Sequence, residues 1–419
     1  MTASTFTLAF LLLLALYLGL KLWLDARQMQ HVRAHRDRVP AQFAERISLT
    51  AHQKAADYTI AKTRLGVADE IVSAVLVLAL TLGGGLAWLY GVASGLASDP
   101  LLRDVALLVG YVVLSGIVGL PLSLYGTFGI EARFGFNKMT WQLWFADLAK
   151  GLLLGVLLGL PLAALILWLM QSSGPLWWLY AWLAWCAFQL LMLVLYPTLI
   201  APFFNKFTPL EDGPIKARIE ALLARCGFQA KGLFVMDGSR RSAHGNAYFT
   251  GFGAAKRIVF FDTLLKSLDP GEVEAVLAHE LGHFKRHHIV KRIAWTFGAS
   301  LLLLWILSVL MRQPWFYAGL GVPLPPGTIS NGLALLLFAL VAPLVTFPLS
   351  PLLSAYSRKH EFEADAYAAQ QSSAGDLAHS LVKMYEDNAA TLTPDPLHSA
   401  FYDSHPPAAL RIARLPMAR

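Results

Sequence analysis

Residues 269–288 read DPGEVEAVLAHELGHFKRHH, and residues 293–311 just beyond them read IAWTFGASLLLLWILSVLM. The first stretch is polar and carries helix-start signals. The second is apolar and long enough to cross a bilayer, which takes about 20 residues. The fold must therefore set a chemically equipped helix directly against a membrane span. Asp269 is a good N-cap, Pro270 suits the first helical position, and Glu272 falls at the third. Val273, Val276 and Leu277 follow at helical spacing and give the helix an apolar face.

On that helix His279 and His283 are four residues apart, so their imidazoles project from one face, one turn apart. Two neutral imidazoles so placed reach one Zn²⁺ at ~2.0–2.1 Å. Glu280 stands beside the first ligand and serves as general base toward water. Zinc lowers the pKa of a water that it binds to ~7, which makes hydroxide available near neutrality. Chance supplies HExxH in roughly one chain in a hundred of this composition, so the zinc reading leads. His287 and His288 follow closely and read as interfacial residues rather than ligands.

A catalytic zinc site needs a third protein ligand and an open position. Residues 357–365 read SRKHEFEAD and continue the last apolar run as helix. Glu361 and Asp365 form an i,i+4 pair on one face, while Glu363 points roughly 160° away from Glu361. Glu361 would complete a His₂Glu set. Asp365 would accept the free N–H of a ligand imidazole and fix its tautomer. The expected cofactor is one Zn²⁺ per chain.

The composition of the 419 residues agrees with a membrane setting. Hydrophobic residues make up 56% and charged residues 15%, against roughly 25% charged in soluble domains. The formal charge is +7. The basic residues cluster beside apolar segments, which points to membrane topology and anionic lipid rather than nucleic acid. Cys186 and Cys226 are the only cysteines, too few for a disulfide framework, and a thiolate metal site is not expected.

Seven runs can span a bilayer: 6–24, 71–90, 105–125, 152–170, 176–199, 293–311 and 333–353. The first lacks a basic lead and a cleavage site, so it reads as a retained helix. Loop 25–68 carries eight Lys or Arg, loop 126–150 three and block 201–290 twelve, while the three intervening loops carry two in total, Arg103 and Arg312. Rich and poor loops alternate without exception. This predicts the N-terminus outside, with the catalytic block and the C-terminus in the cytoplasm. Gly83–Gly84–Gly85, Pro121, Pro161, Pro343, Pro348 and Pro351 are expected to bend helices. Residues 245–262, GNAYFTGFGAAKRIVFFD, read as a β-hairpin.

These residues and their order resemble the type I CAAX prenyl endopeptidases, integral-membrane zinc proteases. Besides HELGH, the resemblance rests on Tyr125 to Glu131, Gly135 to Lys138, Phe203 to Leu210 and Gly245 to Phe249. It continues through Ser357–Arg358, Glu361 to Asp365, and Ser404–His405–Pro406–Pro407 with Arg411. It covers nearly the whole chain. Two departures stand out: Phe203–Phe204–Asn205 replaces the usual Leu-Phe-Asp of eukaryotic members, and loop 312–330 is short. The resemblance implies that Glu361 is the third ligand and that Asn246, His405 and Arg411 line the active site. It also implies a barrel of helices around a water-filled intramembrane chamber. On that basis the first hairpin strand, with Asn246, Ala247 and Tyr248, pairs with an extended substrate, and His405 donates to the oxyanion.

The sequence thus predicts a mainly α-helical, seven-span membrane protein with a zincin-like module and a small β-sheet. Its segments are 1–200 with five spans, the catalytic block 201–290, two further spans over 291–355, and the C-terminal segment 356–419. The expected activity is hydrolysis of extended hydrophobic or prenylated peptides, releasing a C-terminal tripeptide after a modified cysteine. The expected partners are a peptide or protein substrate, lipid-modified ones included, and membrane lipids; a monomer suffices. The basic, Ala- and Leu-rich composition points to a bacterial inner membrane. The alternatives are a heat-shock-type membrane quality-control zinc protease, which usually has about four spans, and a transporter or scaffold with a structural zinc closed by a fourth ligand.

Overall fold

The computed structural model describes residues 1–229, 232–250 and 257–416. Among the described residues, six helical stretches are long and apolar enough to cross a membrane. They are Ala3–Ala34, Pro100–Glu131, Trp141–Ser172, Gly174–Phe204, His288–Leu310 and Asn331–Gln371. A seventh span forms if the pair Leu49–Leu80 and Gly85–Leu96, bent by 59°, is counted as one. The helices used below are α1 (Ala3–Ala34), α2 (Leu49–Leu80), α3 (Gly85–Leu96), α4 (Pro100–Leu124), α5 (Trp141–Leu154), α6 (Leu160–Ser172) and α7 (Trp177–Leu195).

The bend falls inside the run 71–90 that hydropathy reads as one span. Gly84 has φ +79°, and a Cβ on Gly83 or Gly85 would lie 2.7 or 2.8 Å from the Ala79 carbonyl oxygen. Only glycine tolerates that crowding, so the three-glycine run turns the chain between α2 and α3. Elsewhere the helices widen instead of breaking. π-helical turns follow α4 at Tyr125–Glu131, α5 at Gly155–Gly159 and α7 at Tyr196–Ile200. Pro161 and Pro202 each withhold the amide that the carbonyl four residues earlier would use, and the turn upstream opens to compensate.

The helices overrun the predicted spans chiefly on one side. The run 6–24 extends to Ala34, 71–90 begins at Leu49, 152–170 begins at Trp141 and 333–353 extends to Gln371. The opposite ends stay within a few residues of the predicted ones, as at Ala3, Ser172 and Asn331. The longest overruns lie on the side of the HELGH helix, while at the other ends α3 and α4 exceed the predicted spans by only a few residues, to Leu96 and from Pro100.

The two ends of the bundle differ in packing. Phe10, Leu86, Leu107, Leu167, Leu307 and Leu333 belong to one buried cluster. They come from the ends of the spans away from HELGH, and they close the bundle there. Toward the HELGH side the spans stand apart. In the most apolar part of Pro100–Glu131 only 6% of residues are buried. Cavities of about 710 and 440 Å³ share Gly119, Ser123, Thr127 and Glu131 as lining. Buried Asp104 secures the closed end by accepting from Ser330 Oγ at 3.0 Å and from the Gly332 amide at 2.9 Å. It thereby caps the neighbouring helix that starts at Asn331.

The numbering continues with α8 (Pro214–Arg225), α9 (Pro270–Lys285), the span helices α10 (His288–Leu310) and α11 (Asn331–Thr346), and α12 (Ser350–Gln371), α13 (Ala374–Asp387), α14 (Pro396–Tyr402) and α15 (Ala408–Ile412). The polar module lies C-terminal to the fifth span and after α11. Its four-stranded sheet runs β1 (Phe207–Pro209), β2 (Leu233–Met236), β4 (Arg257–Phe261), β3 (Ala247–Thr250) in spatial order. β2 and β4 are parallel and the other pairs antiparallel. The expected hairpin is present, with Ala247 opposite Phe260 and Thr250 opposite Arg257; its turn lies outside the described residues. β1 and β3 are the two edge strands, and β3 packs against α9. Ile258, Phe260, Val273, Leu277, Leu281 and Ala368 share the core that joins sheet, α9 and α12.

Candidate metal centre

Local sequence fixes the start of α9. Asp269 and Glu272 form a capping box, with the Asp269 amide donating to Glu272 Oε2 at 2.9 Å. Lys383 on α13 adds contacts of 2.7 Å to Glu272 and 2.9 Å to Asp269. One turn before the helix ends, Gly282 meets α12. A Cβ there would lie 2.9 Å from the Ala364 Cα and 3.0 Å from its carbonyl oxygen. The glycine inside HELGH is therefore what lets α12 approach closely enough to present Glu361.

Two imidazole nitrogens and the Glu361 carboxylate converge at that crossing. His279 Nε2 lies 3.2 Å from His283 Nε2, His283 Nε2 lies 3.3 Å from Glu361 Oε1, and His279 Nε2 lies 3.5 Å from Glu361 Oε2. Donors held at 2.0–2.1 Å on a tetrahedral ion are about 3.3 Å apart. The spacing of the two nitrogens and of the carboxylate oxygen facing each of them is that of donors on such an ion. Glu361 Oε2 is also buried with no hydrogen-bond partner among the described residues, Arg411 Nη1 standing 3.7 Å away; such an oxygen is costly unless a closer cation satisfies it. Among the described residues these three form the one cluster of His, Cys, Asp or Glu side chains able to hold a metal. Glu280 is half-buried beside them.

The two imidazoles are held from behind by different partners. His279 Nδ1 lies 2.8 Å from Asp365 Oδ1. Arg411 donates to both oxygens of that carboxylate, from Nε at 2.8 Å and from Nη2 at 2.6 Å. Arg411 Nη2 also lies 3.2 Å from His279 Nδ1, but that nitrogen cannot accept from the arginine while donating to the closer Asp365. Burial and Arg411 disfavour a charge on the metal-free imidazole of His279, yet its bonds to Asp365 and Glu361 prevail and raise its pKa to about 9. Arg411 is 7% exposed and sits behind the ligands, not on their open face.

His283 Nδ1 faces His288 Nδ1 at 3.0 Å, and His288 Nε2 faces Glu363 Oε2 at 3.0 Å. His288 is 4% exposed and stacks on His360 with centroids 3.9 Å apart. The interfacial reading of His288 is therefore corrected; His287 alone is exposed. His287 adopts a left-handed conformation, φ 56°, which turns the chain after α9 and swings the first residue of α10 back against His283. No helical periodicity crosses that turn, so the sequence carried no signal for the pair.

On the open side, His405 is 66% exposed, with Nε2 3.5 Å from Glu361 Oε1. Arg358, whose role the motif left blank, donates to the carbonyls of Ser399 at 3.2 Å and Asp403 at 2.9 Å. It clamps the segment that leads into His405. Asn246 is exposed just before β3, and its Oδ1 accepts from the Ala247 amide at 2.8 Å. Tyr248 donates to Met236 Sδ at 3.9 Å, and burial pushes its phenol up to about 12.

Residues 209–418 match the model of peptidase family M48, and residues 28–206 match that of the CAAX prenyl protease N-terminal region with five membrane helices. The chain belongs to peptidase family M48, in its CAAX prenyl protease group. It is 36% identical over 404 residues to the CAAX prenyl protease 1 homolog of Arabidopsis thaliana, covering 93% of this chain and 92% of that one. It is 39% identical over 325 residues to CAAX prenyl protease 1 of Saccharomyces cerevisiae, covering 72% and 69%. The crystal structure of S. mikatae Ste24p superposes with a TM-score of 0.91 at 31% identity, over 98% of each chain. This M48 member is an integral, multi-pass membrane metalloprotease of the CAAX protease type with the Ste24p fold. The family implies a metal, and the donor set described above fits one.

Proposed function

We propose that the chain cleaves prenylated or hydrophobic C-terminal peptides with one Zn²⁺ held by His279 Nε2, His283 Nε2 and Glu361. The observation that carries the assignment is the 3.2–3.5 Å donor triangle with its orphaned carboxylate oxygen. Two nitrogens and one carboxylate, with an open fourth side, are a catalytic rather than a structural set. When bound, zinc supplies Lewis acidity for the scissile carbonyl and acidifies water.

The chain's residues do the rest. Glu280 takes a proton from the attacking water as its oxygen bonds to the carbonyl carbon. It then delivers that proton to the amide nitrogen as the C–N bond breaks. His405, on the open side of Glu361, donates to the oxyanion. The free edge of β3 pairs with the substrate backbone, with Asn246, Ala247 and Tyr248 as its contacts. Asp365, backed by Arg411, holds His279 in the tautomer that offers Nε2 to the metal. The His288–Glu363 pair does the same for His283: with Nδ1–H of His283 donating to His288 Nδ1, the Nε2–H of His288 donates to Glu363.

The basic loops put the module and the C-terminus on the cytoplasmic side, with the N-terminus outside, in a bacterial inner membrane. The substrate is a peptide or protein, lipid-modified where it enters from the bilayer, and a monomer suffices. Segments 1–200 and 291–355 form the membrane enclosure, and 201–290 with 356–419 carry the catalytic groups.

The test is zinc per chain in detergent, with cleavage of a farnesylated CAAX peptide and its unprenylated control. The expected result is one zinc per chain and release of a tripeptide from the prenylated peptide; with Glu280→Gln, zinc stays and cleavage stops. A zinc-free wild-type chain, or a Glu280→Gln chain that cleaves at the wild-type rate, overturns it.

A further inference from the structure

A cavity of about 510 Å³ adjoins the metal centre. Small-ligand sites span ~300–1,000 Å³. Its lining includes His405, 3.5 Å from Glu361, and His244, which leads into the edge strand. Much of the remaining wall carries hydrogen-bonding side chains, among them Thr59, Thr63, Asn388 and Ser404. Its charged residues are one cation, Lys62, and one anion, Asp403.

Lys62 is held without being consumed. Its Nζ lies 5.1 Å from the centroid of the Tyr58 ring and 3.8 Å from Glu131 Oε1. The second distance exceeds that of an N–H···O hydrogen bond, 2.7–3.2 Å. Glu131 is already engaged. Its Oε1 accepts from Tyr58 at 2.5 Å and its Oε2 faces His244 Nε2 at 3.4 Å. His244 is anchored in turn, with Nδ1 3.1 Å from Asn388 Oδ1, which also accepts the Gly245 amide at 3.1 Å. The Lys62 side chain is 57% exposed, so its ammonium keeps donors for whatever occupies the cavity.

The strand direction says what arrives there. A peptide added to the free edge of β3 in the commoner, antiparallel sense runs opposite to Ala247–Thr250. The part that follows the scissile bond then heads toward Asn246 and His244, and so toward this cavity. We propose that the cavity is the subsite for the substrate's C-terminal carboxylate, with Lys62 as the cation that selects it and Tyr58 and Glu131 as its positioning residues. This rests on the peptidase reading with β3 as the docking edge.

The experiment uses the full-length, zinc-loaded Glu280→Gln chain in detergent, so that binding is read without turnover. The probes are a fluorescent farnesylated CAAX peptide with a free C-terminal acid and the same peptide with a C-terminal amide. The acid is expected to bind about tenfold more tightly, as a charge-assisted hydrogen bond supplies. Lys62→Met reduces that preference to less than about twofold and Lys62→Arg keeps most of it. Equal affinity for acid and amide on the Lys62-intact chain overturns the proposal, as does a Lys62→Met chain that still prefers the acid. Should Lys62→Met not fold, the acid preference of the Lys62-intact chain decides alone: it must shrink as salt rises, and a salt-independent preference contradicts the proposal. A chain that prefers the acid but, with Glu280 restored, cleaves neither peptide refutes the proposed CAAX-type substrate and leaves the subsite standing.

Discussion

The two flanks of the HELGH helix hold equivalent imidazoles by unlike means. On one flank His279 leans on Asp365, and Asp365 on Arg411, all three buried. On the other, His283 leans on a neutral imidazole, His288, whose far nitrogen meets a Glu363 that is partly open to water. The first flank is ionic and desolvated, so each of its members depends on the others: removing one partner leaves a buried charge uncompensated. The second ends in a group that water can stabilise, so it gives way more gently. A single metal site thus has a rigid side toward the module core and a yielding side toward the membrane span α10.

Unequal losses are the test of that asymmetry. The largest effect lies outside both flanks, on the reacting water. Glu280→Gln is expected to lower kcat by about 10²–10⁴-fold with metal content unchanged, read by peptide cleavage alongside metal analysis. Next comes Arg411→Met, which strands Asp365. It is expected to cost about 3–5 kcal/mol of stability, measured by thermal unfolding in detergent; a loss under about 1 kcal/mol would show that the flank is not an interdependent unit. Asp365→Asn keeps the shape but loses the charge, and metal affinity is expected to fall toward the upper end of the ~10–100-fold range for outer partners. His288→Phe is expected at the lower end, about tenfold. Competition titration with a metal indicator ranks the two, and the reverse order would dissolve the comparison.

The last effect is a pH dependence confined to the metal-free chain. The His279 pKa is raised from 6.5 to about 9. A raised imidazole contributes stability that is complete below about 6.5 and lost as the pH climbs through about 9. The melting temperature of chelator-treated protein should therefore fall across that window. Zinc-loaded protein, with His279 neutral and bound, should not show that fall, and Asp365→Asn should flatten the slope.

How far these features could be read from residues follows from their range along the chain. HELGH, its capping box and the Glu361–Asp365 pair are spacings within single helices, and helical periodicity exposes them directly. The spans were legible because hydropathy reports contact with lipid. For the same reason hydropathy was silent where α2 and α12 leave the lipid, and it ran straight through the turn at Gly83–Gly85, whose neighbours are equally apolar. The outer partners were the least legible. His288 reaches His283 only because His287 adopts a left-handed turn, and Glu363 reaches His288 only because Gly282 lets α12 approach. Arg358 acts through carbonyls some 41–45 residues away along the chain, and backbone acceptors carry no residue signature.

X-ray absorption of the zinc-loaded, full-length chain is the most direct test of the metal site. The structure predicts two imidazole nitrogens and one carboxylate from the protein, with Glu361→Gln changing the carboxylate contribution and leaving both imidazoles. A third imidazole in the wild-type spectrum, from His288 or His405, or a spectrum unchanged by Glu361→Gln, would contradict it.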